Sequence, residues 1–106
     1  MRIIKAIAHF IMRILGLRVY PIGSLLFQTQ HHLYFILEDY QEGRAILIDE
    51  FGMLLYIKKE DLKANFEEVL AVFRDGKIQS VKEIIGDTVY LDNETVMLSD
   101  LNEGSN

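Results

Sequence analysis

Short apolar blocks separated by one or two glycine-containing polar segments run through most of this chain, and their spacing predicts β-strands. Between His32 and Lys58 the sequence HLYFILEDYQEGRAILIDEFGMLLYIK reads as three successive strands, 33–38, 44–49 and 53–58. Residues 39–43 form a five-residue hairpin loop in this reading, and 50–52 a tighter one whose Gly52 takes a positive φ. Tyr34-Phe35-Ile36-Leu37 and Ala45-Ile46-Leu47-Ile48 are continuous apolar runs. A strand that is apolar on both faces needs cover on both faces, so this meander is expected to be the middle layer of the molecule.

Residues 24–28 predict a short strand before the meander, with 28–31 as a polar turn. After Lys58 the pattern reads in two ways. Leu62, Phe66, Val69, Leu70 and Phe73 have helical spacing. Against one long helix, Val69 to Phe73 is a solid apolar run that leads into Asp75-Gly76, a strong hairpin signal. The favoured reading is a helical turn over 59–66 and then a hairpin of strands 68–74 and 77–85. Residues 88–91 and 95–98 predict a final hairpin, and 102–106 a polar, frayed tail. Gly43 to Asp49 and Gly86 to Asp92 share the order Gly, apolar run, Asp, and each is followed by a strand and an Asp-Leu pair, Asp61-Leu62 and Asp100-Leu101. Duplication of a strand-turn-strand unit explains this; so does the general likeness of hairpins of similar length.

The N-terminal pattern differs. Arg2, Lys5, His9, Arg13 and Gly16 recur at spacings of three and four, so on a helix they fall on one narrow stripe, and nearly everything else from Ile3 to Leu15 is apolar. Residues 1–17 are therefore expected to form an amphipathic helix with more apolar surface than one contact with a sheet would hide. His9 and Arg13 interrupt the apolar run that a signal peptide needs, and the segment is too short and too charged for a membrane span.

Composition adds limits. The 106 residues are half apolar and carry a formal charge of −5, which fits one folded domain and argues against a non-specific nucleic-acid binder. The charge is unevenly placed: residues 1–37 hold four bases and no acid, so all sixteen acids lie in 38–106. With no cysteine there is neither a disulfide framework nor a thiolate metal site, and a cytoplasmic location is expected.

Candidate chemistry is thin. His31 and His32 are adjacent, and neighbours on a strand point to opposite faces, so they do not readily share a metal. Most of the acidic pairs Glu38-Asp39, Asp49-Glu50, Glu60-Asp61 and Glu67-Glu68 sit at expected element ends, and adjacent carboxylates there do not face one another across a cleft. No nucleophile elbow or phosphate-binding loop is present in the sequence. The aromatic residues are interleaved with acids rather than bases, which disfavours base stacking.

The expected fold is mainly β (or α+β), with an N-terminal amphipathic helix packed on a small, bent antiparallel sheet or SH3-like barrel of six to seven strands. The organisation is a single domain over 1–106, with a β-rich body at 24–101. The expected function is that of a non-catalytic protein-interaction module, a small regulator, adaptor or inhibitor, with no cofactor and no metal. Its partner-binding residues are read as Phe10, Ile11, Ile14 and Leu15 on the helix, with Tyr40 and Phe51 in loops. The expected partner is a protein, a second copy of the chain among the options, and not nucleic acid. The alternatives are a peripheral membrane protein using the basic helix, and an acidic mimic of nucleic acid that inhibits a nucleic-acid-binding protein.

Overall fold

The computed structural model describes residues 20–104. The expected N-terminal helix, with Phe10, Ile11, Ile14 and Leu15, lies outside the described residues. Nine strands are present among those described: β1 (Leu25–Gln28), β2 (Leu33–Gln41), β3 (Arg44–Ile48), β4 (Leu54–Lys58), β5 (Phe66–Glu68), β6 (Ala71–Arg74), β7 (Lys77–Ile85), β8 (Thr88–Leu91) and β9 (Thr95–Met97). Two short helices accompany them, α1 (Lys59–Asn65) and α2 (Leu98–Gly104). The fold is mainly β, with two antiparallel sheets of order β4-β3-β2-β1-β5 and β6-β7-β8-β9, one of them curled into a half-barrel. This corrects the expectation of six or seven strands in one sheet.

The central meander is a middle layer. On one face Leu26, Phe35, Leu37, Ala45 and Leu47 pack with Leu62 of α1 and Phe66 of β5. On the other face Leu25 and Ile36 pack with Val72, Val89, Leu91 and Val96 of the second sheet and with Leu98 and Leu101 of α2. The period of two along a strand sends neighbours to opposite faces, so the continuous run Tyr34 to Leu37 supplies both cores. Leu25, Leu26, Leu37 and Leu47 are fully buried, each burial contributing about 1.5–3 kcal/mol.

Local chemistry sets the connections. Glu42 and Gly43 both have positive φ, 50° and 78°, and so do Asp75 and Gly76, 54° and 78°. Two consecutive positive values are what a two-residue type I′ hairpin requires. The β2–β3 connection is thus two residues long rather than five, and β2 runs on to Gln41. The helical turn and the Asp75-Gly76 hairpin of the favoured reading are present, but the run 68–74 is divided. β5 pairs with β1 in the first sheet, and β6 opens the second. The tail is also corrected as far as Gly104, because its start is the second half of α2, where Asn102 is buried.

The two halves repeat one plan. In each, a short strand leads into a nine-residue strand, two further strands and a seven-residue helix. Both nine-residue strands carry a bulge at the same place, between Leu37 and Asp39 and between Val81 and Glu83. Ala45 and Leu47 in β3 match Val89 and Leu91 in β8 as buried, inward-facing pairs, and Leu62 of α1 matches Leu101 of α2. The structural match is one residue out of step with the match of the two glycines, because Glu42-Gly43 corresponds to Gly86-Asp87. The halves differ in closure: β1 carries β5 on its outer edge, whereas β6 has no strand there among the described residues.

Candidate interaction surface

The β3–β4 turn is built by one carboxylate. Asp49 Oδ1 accepts the N–H of Phe51 at 2.9 Å and that of Met53 at 2.8 Å. The Asp49 N–H donates to the Met53 carbonyl at 3.0 Å, and the Gly52 N–H donates to the Asp49 carbonyl at 3.1 Å. Gly52 takes φ 80°, a value costly for a residue with a Cβ. So held, the turn leaves the Phe51 side chain 82% exposed, with Met53 beside it also exposed.

β4 continues this surface. Leu55 and Ile57 point inward to the first core, so Leu54 and Tyr56 point to the other face, where they pair with Ile48 and Ile46 of β3. That face is covered by the second sheet and α2 over β1 and β2, but Leu54 and Tyr56 at the edge remain 50% and 53% exposed. Leu54 and Tyr56 are thus the uncovered margin of a face that is otherwise core, and with Phe51 and Met53 exposed in the adjoining turn they make an apolar ledge. The sequence reading found Phe51 alone. The signal for the others was present, since Met53 to Ile57 is apolar at every position while β4 is an edge strand.

Tyr40 is not in a loop. It lies in β2, half-buried, and its hydroxyl donates to the Tyr20 carbonyl at 2.7 Å, while the Tyr20 hydroxyl donates to the Phe66 carbonyl at 2.7 Å. Burial pushes the Tyr40 phenol up to about 12. Lys59 Nζ stands 5.5 Å from its ring centroid. The two tyrosines clamp the chain entering β1 onto β2 and β5, a packing role that the loop assignment missed.

The remaining polar candidates are dispersed over the fold. His31 and His32 are exposed in the β1–β2 turn, His32 at φ 57° with its ring 5.8 Å from that of Phe27. Among the described residues no group of three or more His, Asp or Glu side chains is arranged to hold a metal ion. Glu60 and Asp61 open α1, and Glu67 and Glu68 lie in β5. At the far end of the second sheet Gln79, wholly buried, donates from Nε2 to Glu94 Oε2 at 2.7 Å and accepts the Asn93 N–H at 3.1 Å. Arg74 Nε lies 3.5 Å from Glu94 Oε1, close enough for charge attraction though not aligned for a hydrogen bond. Asp92 accepts the Ser80 N–H at 2.6 Å and meets Lys82 Nζ at 3.0 Å. The Gln79 amide, with Arg74, holds the Glu94 carboxyl below its usual value; the Ser80 N–H and Lys82 do the same for Asp92. These bonds carry the β7 to β8–β9 connection beyond Val81, where the backbone ladder ends.

No helix among the described residues is long and apolar enough to cross a membrane. Comparison with models of known protein families, with curated proteins and with solved structures finds no match to this chain.

Proposed function

We propose that this chain is a non-catalytic protein-interaction module, a small regulator, adaptor or inhibitor, that binds a protein partner on the ledge Phe51, Met53, Leu54 and Tyr56. The observation that carries the reading is the ledge itself: four large apolar side chains exposed within one turn and one edge strand. Large apolar side chains are the usual anchors of protein interfaces, and clustered exposure of this kind marks binding surfaces more often than scattered exposure does. The turn is held by the Asp49 hydrogen bonds, so its display of Phe51 needs little further ordering when a partner binds. Phe10, Ile11, Ile14 and Leu15 are assigned a second, separate share of binding on the strength of their sequence pattern. The lack of cysteine accords with a cytoplasmic setting.

The finer fold class belongs to the same proposal. A four-strand meander followed by a short helix and a fifth strand that returns to pair with the first, as β1–β4, α1 and β5 do, is the connectivity of an SH3-like barrel. Small barrels of that kind offer loops and edge strands as binding surface.

The test is affinity capture from the native host with the full chain, a Leu54→Asp, Tyr56→Asp variant and an Ile11→Asp, Leu15→Asp variant. Both side chains of the first variant are half-exposed, so its circular dichroism should match the parent. The proposal expects a discrete protein captured by the parent and lost from the Leu54, Tyr56 variant. Equal recovery by parent and that variant contradicts it, and so does sedimentation of the full chain with anionic phospholipid vesicles in place of any captured protein.

A further inference from the structure

Beyond the ledge, the repeated plan of the two halves singles out the outer edge of β6. In the first half the corresponding strand, β1, carries β5 antiparallel along that edge, with Leu26, Phe27 and Gln28 opposite Glu68, Glu67 and Phe66. On β6 the same edge has no strand among the described residues. Its backbone directions follow from the hydrogen bond that the Val81 N–H donates to the Leu70 carbonyl at 2.9 Å. In an antiparallel pair, alternate residues turn both their N–H and C=O toward the same neighbour. Leu70 and Val72 therefore bond toward β7, and Ala71 and Phe73 turn their N–H and C=O outward.

Edge strands are usually guarded by brevity, by charge or by proline. β9 has three residues, and β5 consists of Phe66 and two acids. β4 and β6 each carry a charge only at the last residue, Lys58 and Arg74, and of these two edges β6 is the one whose counterpart in the other half, β1, carries a strand. Phe73 and its cross-strand neighbour Ile78 are 71% and 74% exposed on the outer face of the sheet.

We propose that this edge pairs with β6 of a second copy of the chain, joining the two four-stranded sheets into one. The two-fold arrangement that satisfies the outward groups places Val72 opposite its mate, with Ala71 of each copy opposite Phe73 of the other. Each outward N–H of Ala71 and Phe73 then meets an outward C=O of the partner strand. The pairing is antiparallel, as on β1, and brings the Phe73 and Ile78 side chains of both copies onto one face. A two-fold symmetric contact of this kind closes on itself and stops at the dimer.

Sedimentation equilibrium of the full chain tests the contact, with amide hydrogen exchange measured at low and high protein concentration. The expected result is a monomer–dimer equilibrium in which the Ala71 and Phe73 amides gain protection as concentration rises. Phe73→Lys should weaken the dimer by at least roughly tenfold, whereas Ile85→Lys, on the same face but away from the edge, should leave it unchanged. Ala71→Pro, which removes one outward N–H without touching a bond to β7, gives a second variant with the same expected direction. A monomer at about 1 mM overturns the proposal. Dimerisation that is unmoved by Phe73→Lys and Ala71→Pro overturns it as well, as does protection of these two amides only when host extract is added. None of these outcomes bears on the ledge, because β4 lies in the other sheet.

Discussion

The side-chain amide of Asn102 pairs with the backbone of Tyr34 as a neighbouring strand would. The Tyr34 N–H donates to Asn102 Oδ1 at 2.6 Å, and Asn102 Nδ2 donates to the Tyr34 carbonyl at 3.2 Å. The β2–β3 ladder ends at Ile36 and Ile48, so Tyr34 lies two residues past the last pair. Glu50, which leaves the sheet at that point, accepts from Asn102 Nδ2 at 3.2 Å. One side chain from α2 thus satisfies the end of a strand in the first sheet and fastens the two halves together.

Asn102→Ala removes all three of these bonds and leaves two backbone groups of a half-buried strand without the amide. The expected loss is about 1–3 kcal/mol. In urea denaturation the midpoint should fall while the slope stays constant, because the surface exposed on unfolding is unchanged. A midpoint equal to that of the parent would show that solvent replaces the amide at no cost.

Glu42 occupies the first position of a type I′ turn at φ 50°, a region that asparagine tolerates better than glutamate. Glu42→Asn should raise stability by up to about 1 kcal/mol, seen as a higher thermal midpoint. Gly43→Ala should lower it by about 1 kcal/mol; a Cβ there meets nothing within 4 Å, so the cost is one of backbone conformation alone.

The acid limb of stability should depend on Glu94. Its folded-state value is depressed below the ordinary 4.5, mainly by the Gln79 amide, so the unfolded chain binds the proton more readily and the stabilising contribution is whole above 4.5. It is lost as pH falls through the lower folded value. The stability difference between parent and Glu94→Gln, followed from neutrality to about pH 2, should shrink over that window. A constant difference across it would exclude the linkage.

Tyr40 gives the opposite case. Burial raises its phenol from 10.0 to about 12, so the folded state holds the proton where the unfolded chain has released it. Its contribution is whole below pH 10 and is lost as pH rises toward 12. Tyr40→Phe should be less steeply destabilised over that interval, and ultraviolet titration should show Tyr40 ionising late, with Tyr34, also raised by burial, above the ordinary value as well.

Much of this architecture is legible in the residues themselves. The two-faced runs at Tyr34 and Ala45 imply a middle layer because every position must be covered, and Asp75-Gly76 marks its hairpin through the φ values it tolerates. The five-residue loop at 39–43 misleads because Asp39, Tyr40 and Gln41 look like loop residues; the bulge at Glu38 and the hydroxyl contact of Tyr40 keep them in the strand. The division of 68–74 between two sheets has no local signal, since Val69-Leu70 differs from its neighbours only in what the tertiary structure places beside it. Asn102 reads as tail for a related reason: its value as a buried amide exists only where Tyr34 runs past the end of β3. In the candidate surface, Phe51 stands out between Glu50 and Gly52. Leu54 and Tyr56 do not, because an edge strand exposes residues that a central strand with the same sequence would bury.

The claim that the ledge is a protein-binding surface is tested most directly by photo-crosslinking in living host cells. A photoreactive phenylalanine analogue is placed singly at Phe51, Leu54 and Tyr56, and at Lys63 and Thr95 as exposed controls on other elements. One discrete protein adduct is expected from all three ledge positions and none from the controls. Adducts of equal yield from ledge and control positions, or none from any ledge position, would contradict it.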